Sequence, residues 1–538
     1  MRVTNKMMSA GMLNNIMSNK ADMNKKFNQY ATGQKIQKPS EDPVVAIRSL
    51  KYRANLTQVD QYLKKNVTDA YNWMDVTESA INSMKSLMTD ITAYVTQGAN
   101  DTYETIDRDS ISKQLQQYKE ELYGMLNTDN AGRYVFSGYR TDTSVCYLEE
   151  DKSKQYTITE PLTFENMYEK KYVTGSAPEY DTTGTPTSNE AAFAAAEPKD
   201  ATVYCLDLGY KNLDIETDTT AANYGKDLTF IYTDEAGVEE TVTVSTWKST
   251  TDNVYDFSLD ESGQPVSPAD EARFLADTGQ IIISKDLYEK LRTAKNITTT
   301  YKKSEFEVGD VRPEMYYDCT AVGVERGNDG KIVNTVGEPI NYKKPENQDI
   351  KYNVSTSQSL KVNTLANQTL NSSYARALDN VMEAVDAAYE TQSRIEDVEL
   401  VLSDSNLSEE ERAAYTTLKE KLNVELNIRK SIIQESFGRA ITATQNAQSG
   451  TKVAYEDGSV KKIGINIAST DLGSRYKRLD MIKTRLEDQT TSITELADSN
   501  EQVDLEEAIV NYQDAYITYT ASLSATGRVA QNTLLDFL

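Results

Sequence analysis

The sequence predicts a mainly α-helical protein with a β-rich insertion, in which both ends of the chain contribute to one long coiled-coil-like helical bundle. Heptad spacing of apolar residues runs through residues 1–127 and returns in residues 469–538. Residues 141–370 are instead rich in Thr, Tyr, Asp and Gly. We therefore expect four parts. They are an N-terminal helical arm and bundle (1–140), one or two β-rich surface domains (141–370), a helical extension with a small hairpin (371–468) and C-terminal helices that pair with the N-terminal arm (469–538).

The charge and hydropathy of the chain exclude several classes of partner. Its 538 residues include 83 acidic and 57 basic residues, a net charge of −26, whereas nucleic acids and anionic membranes require a basic face. No apolar run is long enough to span a membrane, and residues 1–6 are not followed by the apolar segment of a cleavable signal. We expect no nucleic-acid partner, no membrane partner and no cleavable secretory signal.

The residue types also limit the chemistry. Histidine is absent, which excludes Ser-His-Asp triads, histidine zinc sites and histidine general bases. Cys146, Cys205 and Cys319 lack a metal-site spacing, so three buried thiols are the simpler expectation and one disulfide with a free thiol the alternative. The Gly-Asn-Asp-Gly turn at 327–330 lacks the ligand series of a calcium loop. We predict no enzyme activity, no cofactor and no metal site.

The N-terminal region predicts three helices. The first ends at Gly33, and a second begins after an extended link, with Ser40 as its predicted cap, because Lys38 precedes a proline and is disfavoured in a helix. A long seam then extends to Val95 before a break at 98–101, and a third helix covers 106–127. The seam residues of the second helix are Leu56, Asp60, Leu63, Val67, Ala70, Met74, Thr77, Ile81, Met84, Met88, Ile91 and Val95. We expect this helix to pair with the third helix and with a helix carrying Leu472 to Leu496.

The middle of the chain predicts short strands and turns. A short aromatic strand lies within 130–139. One hairpin joins 228–233 to 241–245, and another joins 322–324 to 332–333. Residues 173–189 form an exposed low-complexity loop. Short helices are predicted at 268–277 and 285–293.

The last third of the chain predicts helices again. They cover 372–448 with a break at 403–406, and Ser408 caps the second of them. A hairpin follows in 453–467, and then a helix capped by Ser469 or Thr470. A polar hinge at 498–501 leads into the terminal seam.

Both chain ends carry a heptad seam that a single chain does not obviously need. The C-terminal seam finishes on the sequence Leu-Leu-Asp-Phe-Leu, although terminal residues are usually polar and poorly ordered. We therefore predict burial either elsewhere in this chain or against another subunit, and the Met, Thr and Tyr content of residues 1–31 and 505–538 favours another subunit. The predicted assembly interface consists of Val3, Met7, Leu13, Ile16, Met23, Phe27, Tyr30, Leu505, Ile509, Tyr512, Tyr516, Tyr519, Leu523, Leu534, Leu535, Phe537 and Leu538.

Several short motifs lie at both ends of the chain, at 1–5, 32–36, 38–43, 132–138, 479–488, 503–508, 520–526 and 534–538. Together they resemble motifs of the flagellin superfamily. The Lys-Pro-Ser-Glu-Asp-Pro stretch is similar to the form found in the hook-filament junction proteins of that superfamily, and so is the Leu-Leu-Asp-Phe-Leu ending. The resemblance covers about the first 140 and the last 70 residues and does not extend to the middle.

The resemblance implies a structural role in the bacterial flagellum. A junction protein is exported through the flagellar type III apparatus without a cleavable signal and is extracellular. Its expected partners are copies of itself in a ring or helical lattice, the first junction protein, flagellin and a flagellar export chaperone. The alternatives are a filament flagellin and a secreted coiled-coil adhesin or effector. In the superfamily the terminal helices form the inner wall of a tube, which here implies residues 1–31 and 505–538.

Overall fold

The computed structural model describes residues 5–216, 227–250, 254–259, 271–328, 330–405, 407–454 and 460–535. Long helices occupy the two ends of the chain, and strands dominate the middle. The helices are α1 (Asn5–Thr32), α2 (Pro43–Gln61), α3 (Thr68–Gly98), α4 (Thr105–Gly124), α5 (Pro186–Ala195), α6 (Lys285–Leu291), α7 (Pro313–Tyr316), α8 (Ala366–Thr369), α9 (Ser373–Leu402), α10 (Glu409–Ser449), α11 (Ile465–Glu501) and α12 (Leu505–Leu535). The mainly α fold with β-rich domains is thus confirmed.

The strands form two larger sheets and several hairpins. They are β1 (Asp129–Asn130), β2 (Arg133–Tyr134), β3 (Lys154–Leu162), β4 (Met167–Thr174), β5 (Lys199–Asp207), β6 (Thr229–Thr233), β7 (Glu239–Thr241), β8 (Val244–Trp247), β9 (Ala272–Leu275), β10 (Gln280–Ile283), β11 (Asn296–Lys303), β12 (Asp318–Arg326), β13 (Ile332–Tyr342), β14 (Lys351–Ser355), β15 (Gln358–Lys361), β16 (Thr451–Ala454) and β17 (Val460–Ile463). One sheet has the order β4-β5-β10-β9-β8, and the other β13-β12-β3-β11-β6-β7.

The chain divides into two compact units. One comprises residues 1–71, 352–360 and 477–538, and the other comprises residues 72–351 and 361–476. The first unit therefore contains both terminal helices, and the second contains both larger sheets. The four-part division at residues 140, 370 and 468 stays a prediction.

The beginning of α2 differs from the prediction in its capping residue. Asp42, not Ser40, is the N-cap, because its Oδ1 accepts hydrogen bonds from the backbone N–H of Val44 (2.9 Å) and Val45 (3.1 Å). Pro43 occupies the first helical position, where its missing N–H leaves no hydrogen bond unmade. A six-residue π-helical segment, Tyr62–Val67, then separates α2 from α3.

The long seam of α3 is buried as predicted. Every predicted seam position from Val67 to Val95 is inaccessible to solvent, with Met74, Met84 and Met88 among the fully buried side chains. Within the second unit, α3 meets α4 through the rings of Tyr94 and Tyr118, whose centroids are 5.5 Å apart. It meets α11 through a hydrogen bond from Lys85 Nζ to Ser469 Oγ (3.3 Å).

The hairpin prediction for 228–245 is right at its start and wrong at its end. Strand β6 pairs antiparallel with β7, so that Ile231 lies opposite Thr241. Residues 244–247 instead form β8, which pairs in parallel with β9 of the other sheet. The buried side chain of Trp247, which packs with Leu275 and Ile282, accounts for this placement. The hairpin of β12 and β13 is confirmed and is longer than predicted.

Two other predictions in the middle of the chain are wrong. The described part of the helix predicted at 268–277 is the strand β9, because Phe274 and Leu275 are buried between neighbouring strands. The exposed loop predicted at 173–189 is shorter, since β4 extends to Thr174 and Thr185 caps α5. The helix predicted at 285–293 is confirmed as α6. The aromatic strand predicted within 130–139 is reduced to the two residues of β2.

The C-terminal half follows the predicted helices with shifted boundaries. Ser408 caps α10 and forms a capping box with Glu411, as predicted. Helix α11 begins at Ile465, directly after β17, so neither Ser469 nor Thr470 is its cap. The polar stretch predicted as a hinge at 498–501 is the last turn of α11, and the break lies at 502–504. Residues 455–459 of the hairpin predicted in 453–467 lie outside the described residues, and so does Asp329 of the turn predicted at 327–330.

Candidate assembly surface

Helices α1 and α12 pack against each other within the first compact unit. The rings of Phe27 and Tyr512 lie 5.5 Å apart, and those of Tyr30 and Tyr512 lie 6.3 Å apart and stack nearly parallel. These contacts join the end of α1 to the beginning of α12, so the two helices run antiparallel.

Backbone hydrogen bonds join the segments that follow α1 and precede α12. The N–H of Lys35 donates to the carbonyl of Glu501 (2.8 Å), and the N–H of Val503 donates to the carbonyl of Gly33 (2.9 Å). Lys35 Nζ also donates to the carbonyl of Ser499 (2.6 Å). Gly33 has a φ of 70°, the left-handed conformation that terminates helices and that glycine adopts without steric cost. The pairing of the two terminal helices therefore begins from a fixed register.

An ion pair supports the same junction. The guanidinium of Arg53 on α2 binds both carboxylate oxygens of Glu501, with Nε–Oε1 at 3.0 Å and Nη2–Oε2 at 2.8 Å. Ser49 also donates to Glu501. The hydrogen bond from Arg53, followed by that from Ser49, holds the pKa of the Glu501 carboxyl below its usual range. The carboxylate is therefore charged at neutral pH and ties α2 to the end of α11.

The stripe of α12 that loses solvent access is built on small residues. Ala508 and Ala515 are buried, and Ser522 is half-buried at the same seven-residue interval. Tyr512 and Tyr519 lie between them and are half-buried. Because α12 packs along α1, we assign this stripe to the contact between the two helices. Small side chains allow close approach, so the pair is held by a narrow seam.

The corresponding stripe of α1 is only half-buried. Its members, spaced three or four residues apart as a helical stripe requires, are Met12, Ile16, Asn19, Met23 and Lys26. None of the described residues of α1 reaches full burial.

The large apolar residues of α12 lie largely outside this seam. Leu505, Ile509, Tyr516 and Leu523 are 54%, 38%, 51% and 42% exposed. On α1, the exposed apolar residues are Met7, Met8, Leu13, Met17, Phe27 and Tyr30. Exposed apolar residues at helical spacing along two paired helices form an extended patch, and patches of this kind mark interaction sites.

The predicted interface residues therefore divide into three groups. Ile16, Met23, Tyr512 and Tyr519 are half-buried in or beside the seam of the helix pair. The exposed group is Met7, Leu13, Phe27, Tyr30, Leu505, Ile509, Tyr516 and Leu523. Val3, Phe537 and Leu538 lie outside the described residues, and for Leu534 and Leu535 only the helical backbone is described.

The sequence prediction missed the small residues of the seam. The predicted heptad of α12 follows its large apolar side chains, whereas Ala508, Ala515 and Ser522 recur at intervals of seven on the neighbouring stripe. The seven-residue recurrence of these small residues is the sequence signal that indicates the seam.

Among the described residues, no group of side chains is arranged to bind a metal ion. None of their His, Cys, Asp and Glu side chains form a group of three or more that could hold an ion. Cys146, Cys205 and Cys319 are free and buried, which confirms the simpler expectation, and burial raises the pKa of the Cys205 thiol to about 12. Among the described helices, none has both the length and the apolar character that crossing a bilayer demands.

Comparison with known proteins matches the N-terminal region to one family. Residues 3–141 match the bacterial flagellin N-terminal helical region. Flagellar hook-associated protein 3 of Escherichia coli is 28% identical over 155 residues, which are 29% of this chain and 48% of the relative. Flagellin of Clostridium tyrobutyricum is 23% identical over 196 residues, 36% of this chain and 52% of that protein. The chain thus spans about half the length of the curated relatives it matches.

Solved structures of similar proteins include a putative flagellar hook-associated protein from Vibrio parahaemolyticus. It has 10% sequence identity and a TM-score of 0.33, and the match covers 86% of this chain and 100% of that structure. Residues 3–141 of this chain are therefore similar to the N-terminal helical region of bacterial flagellin, and part of the chain is similar to flagellar hook-associated protein 3.

Proposed function

We propose that this chain is a structural component of the bacterial flagellum that joins the hook to the flagellin filament. The observation that supports this most directly is the terminal helix pair, which leaves an extended apolar patch uncovered within the chain. The relatives named flagellar hook-associated protein 3 supply the flagellar context. In this proposal the exposed residues of α1 and α12 are buried by neighbouring subunits.

The energetics favour burial of this patch on assembly. Transferring a large apolar side chain from water into a packed interface contributes about 1.5 to 3 kcal/mol. Leu505, Ile509, Tyr516 and Leu523 are all substantially exposed in the single chain, so most of that contribution is still unrealised. Association of several subunits realises it without a change in the fold of the β-rich unit.

The same proposal assigns the partners and the route. The partners are further copies of this chain, the first junction protein on the hook side, flagellin on the filament side and an export chaperone before assembly. The protein is extracellular after export through the flagellar type III apparatus. The assembly interface consists of the predicted residues of both termini, including Val3, Leu534, Leu535, Phe537 and Leu538. The parts 1–140 and 469–538 form the bundle, and 141–370 and 371–468 lie outside it.

Immunogold labelling of intact flagella tests the position. We expect a band at the end of the hook. Labelling along the whole filament would instead support a filament flagellin, the alternative that the Clostridium tyrobutyricum relative favours. Uniform labelling of the cell body would contradict both and support an adhesin or effector.

Deletion of residues 534–538 tests the assembly role of the C-terminal end. We expect the β-rich unit to remain folded by circular dichroism, since its residues lie elsewhere in the chain. Attachment of filaments to hooks should be lost. Normal filaments in a strain that carries only the truncated chain would overturn the proposal.

A further inference from the structure

A cavity of about 270 Å³ in the second unit lies among four basic side chains, although the chain as a whole is strongly acidic. Lys119 of α4, Arg376 of α9 and Lys303 of β11 line it, together with Lys211 from the loop after β5. Four different elements thus bring their cations to one place.

Two of these cations are almost completely buried. The side chains of Lys303 and Arg376 are each 3% exposed. Lys303 Nζ donates to the carbonyl of Lys211 (2.7 Å) and lies 3.8 Å from Asp310 Oδ2, which is beyond hydrogen-bonding distance. Arg376 Nε is buried and has no hydrogen-bond partner among the described residues. Both groups therefore retain donor capacity that no hydrogen bond to a described residue satisfies.

Asp379 is the carboxylate that lies deepest among these cations. It accepts from three of them, with Lys119 Nζ at 2.5 Å, Lys211 Nζ at 3.2 Å and Arg376 Nη1 at 3.2 Å. Asp310 also lines the cavity with a side chain that is 33% exposed, and burial raises the pKa of Asp310 and lowers the pKa of Lys303.

The remaining carboxylates near the cavity lie closer to solvent. Glu120 and Glu307 line the cavity but are exposed, and Glu383, which pairs with Lys211 at 3.1 Å, is also partly exposed. Lys211 is itself 34% exposed and forms an ion pair with Glu383, so this pair lies nearer to solvent. The two deepest cations, Lys303 and Arg376, have Asp379 as the deepest carboxylate beside them, and Lys303 does not hydrogen-bond to Asp310. An anion in the cavity would supply further acceptors for these two buried cations.

We propose that this cavity is a binding site for a phosphate group. A phosphate group is negatively charged, and its tetrahedral oxygens accept hydrogen bonds from several directions, which suits the arrangement of Lys119, Lys211, Lys303 and Arg376 around the cavity. The cavity exceeds the volume of several water molecules, each about 30 Å³ in the liquid. It can therefore hold inorganic phosphate or the phosphate end of a small monoester.

Calorimetric titration of the full chain with inorganic phosphate tests the site, in chloride buffer of constant ionic strength. We expect saturable binding of a single phosphate per chain. Lys303→Met keeps the aliphatic stem and removes the ammonium, so affinity should fall by at least about tenfold. Lys302→Met changes the exposed neighbour on the same strand and should leave affinity unchanged.

A second variant tests the site independently in case Lys303→Met does not fold. Lys119→Met removes a cation that is 22% exposed while Asp379 keeps two others, and it should also weaken phosphate binding. Absence of saturable binding by the wild-type chain would overturn the proposal. Equal affinity of wild type and both lining variants would do so too. Equal competition by succinate would show that the site does not select phosphate.

Discussion

At the scale of single residues, Glu160 on β3 is a buried carboxyl that accepts hydrogen bonds from three donors. It is 4% exposed and accepts hydrogen bonds from Tyr301 Oη (2.7 Å), Tyr317 Oη (3.3 Å) and the N–H of Gly209 (3.0 Å). Burial raises the pKa of Glu160 despite these donors. The folded chain therefore binds the proton of the Glu160 carboxyl more tightly than the unfolded chain does.

This difference makes stability depend on pH. The unfolded-state pKa of a glutamate is about 4.3, so Glu160 lowers the free energy of unfolding as the pH rises from there through its folded-state pKa. Glu160→Gln cannot ionise, and its amide can still accept from Tyr301 and Gly209 and donate to Tyr317. We expect equal stability near the unfolded-state pKa and a more stable variant at neutral pH, measured by urea unfolding followed through near-ultraviolet circular dichroism.

The matched control is Glu240→Gln, which alters an exposed carboxyl on β7. Its pH profile should parallel that of the wild type. A profile of Glu160→Gln that also parallels the wild type would contradict the assignment. Sequence alone could not identify Glu160, because Glu-Pro on a Thr-rich strand gives no sign of a buried carboxyl.

At the scale of elements, the close approach of α3 and α10 depends on a glycine. A Cβ added at Gly98 would lie 2.3 Å from the ring of Phe437, which is fully buried. We expect Gly98→Ala to lower the free energy of unfolding by about 1 to 3 kcal/mol, as overpacking does. The same change at Gly473 on α11 meets no atom within 4 Å and should stabilise by about 0.5 to 1 kcal/mol.

Thermal unfolding of the two variants checks this pair of predictions. We expect Gly98→Ala to lower Tm and Gly473→Ala to raise it. A loss of stability in Gly473→Ala, or none in Gly98→Ala, would show that the packing of α10 on α3 is looser than described.

The terminal helices show what heptad analysis can and cannot predict. The existence and the start of α12 at Leu505 follow from apolar spacing alone. The side of α12 that faces α1 cannot be predicted in this way, because two neighbouring stripes of the helix both repeat every seven residues. Large side chains such as Ile509 and Tyr516 made the outer stripe more conspicuous, whereas close packing of two helices selected Ala508 and Ala515.

A leucine at the small seam should therefore separate α1 from α12. Ala515 is 5% exposed, so Ala515→Leu introduces a bulky side chain where the helices meet. We expect faster hydrogen exchange of the α1 amides, because the packing that protects them is weakened. Ala521→Leu makes the identical change on an exposed position of α12 and should leave exchange in α1 unchanged. Equal exchange in both variants would contradict the assigned seam.

The β-rich elements were harder to predict from sequence. Strand β9 was mistaken for a helix because a stretch of Ala, Glu, Arg, Phe and Leu has helical propensity. Its pairing with β8 and with β10, the next strand along the chain, overrides that propensity by burying Phe274 and Leu275. The hairpin of β12 and β13 could be predicted because the sequence Gly-Asn-Asp-Gly, which is typical of turns, lies between two strands that follow each other in the chain.

At the scale of the whole molecule, the two ends of the chain belong to one compact unit and the middle largely to another. Closing so long a loop adds only a slowly growing entropic cost, so such pairing is thermodynamically accessible. The unit with the termini carries the uncovered apolar patch, and the unit with the sheets carries most of the buried core. Substitutions in the patch should therefore affect assembly and spare the fold.

Leu523→Asp should separate an effect on assembly from an effect on the fold. Leu523 is 42% exposed in the single chain, so its replacement should change stability by no more than about 0.5 kcal/mol. Burying the new carboxylate against a neighbouring subunit without a partner is strongly unfavourable, and filaments should fail to attach to hooks.

The matched control is Leu400→Asp, at a leucine of α9 that is 73% exposed in the other unit. It introduces the same charge into the same folded chain, so Tm should again be unchanged while filament number, counted by electron microscopy, remains normal. Loss of filaments with both variants would point to added charge rather than to the α12 surface. Normal filaments with Leu523→Asp would show that this stripe of α12 stays exposed after assembly.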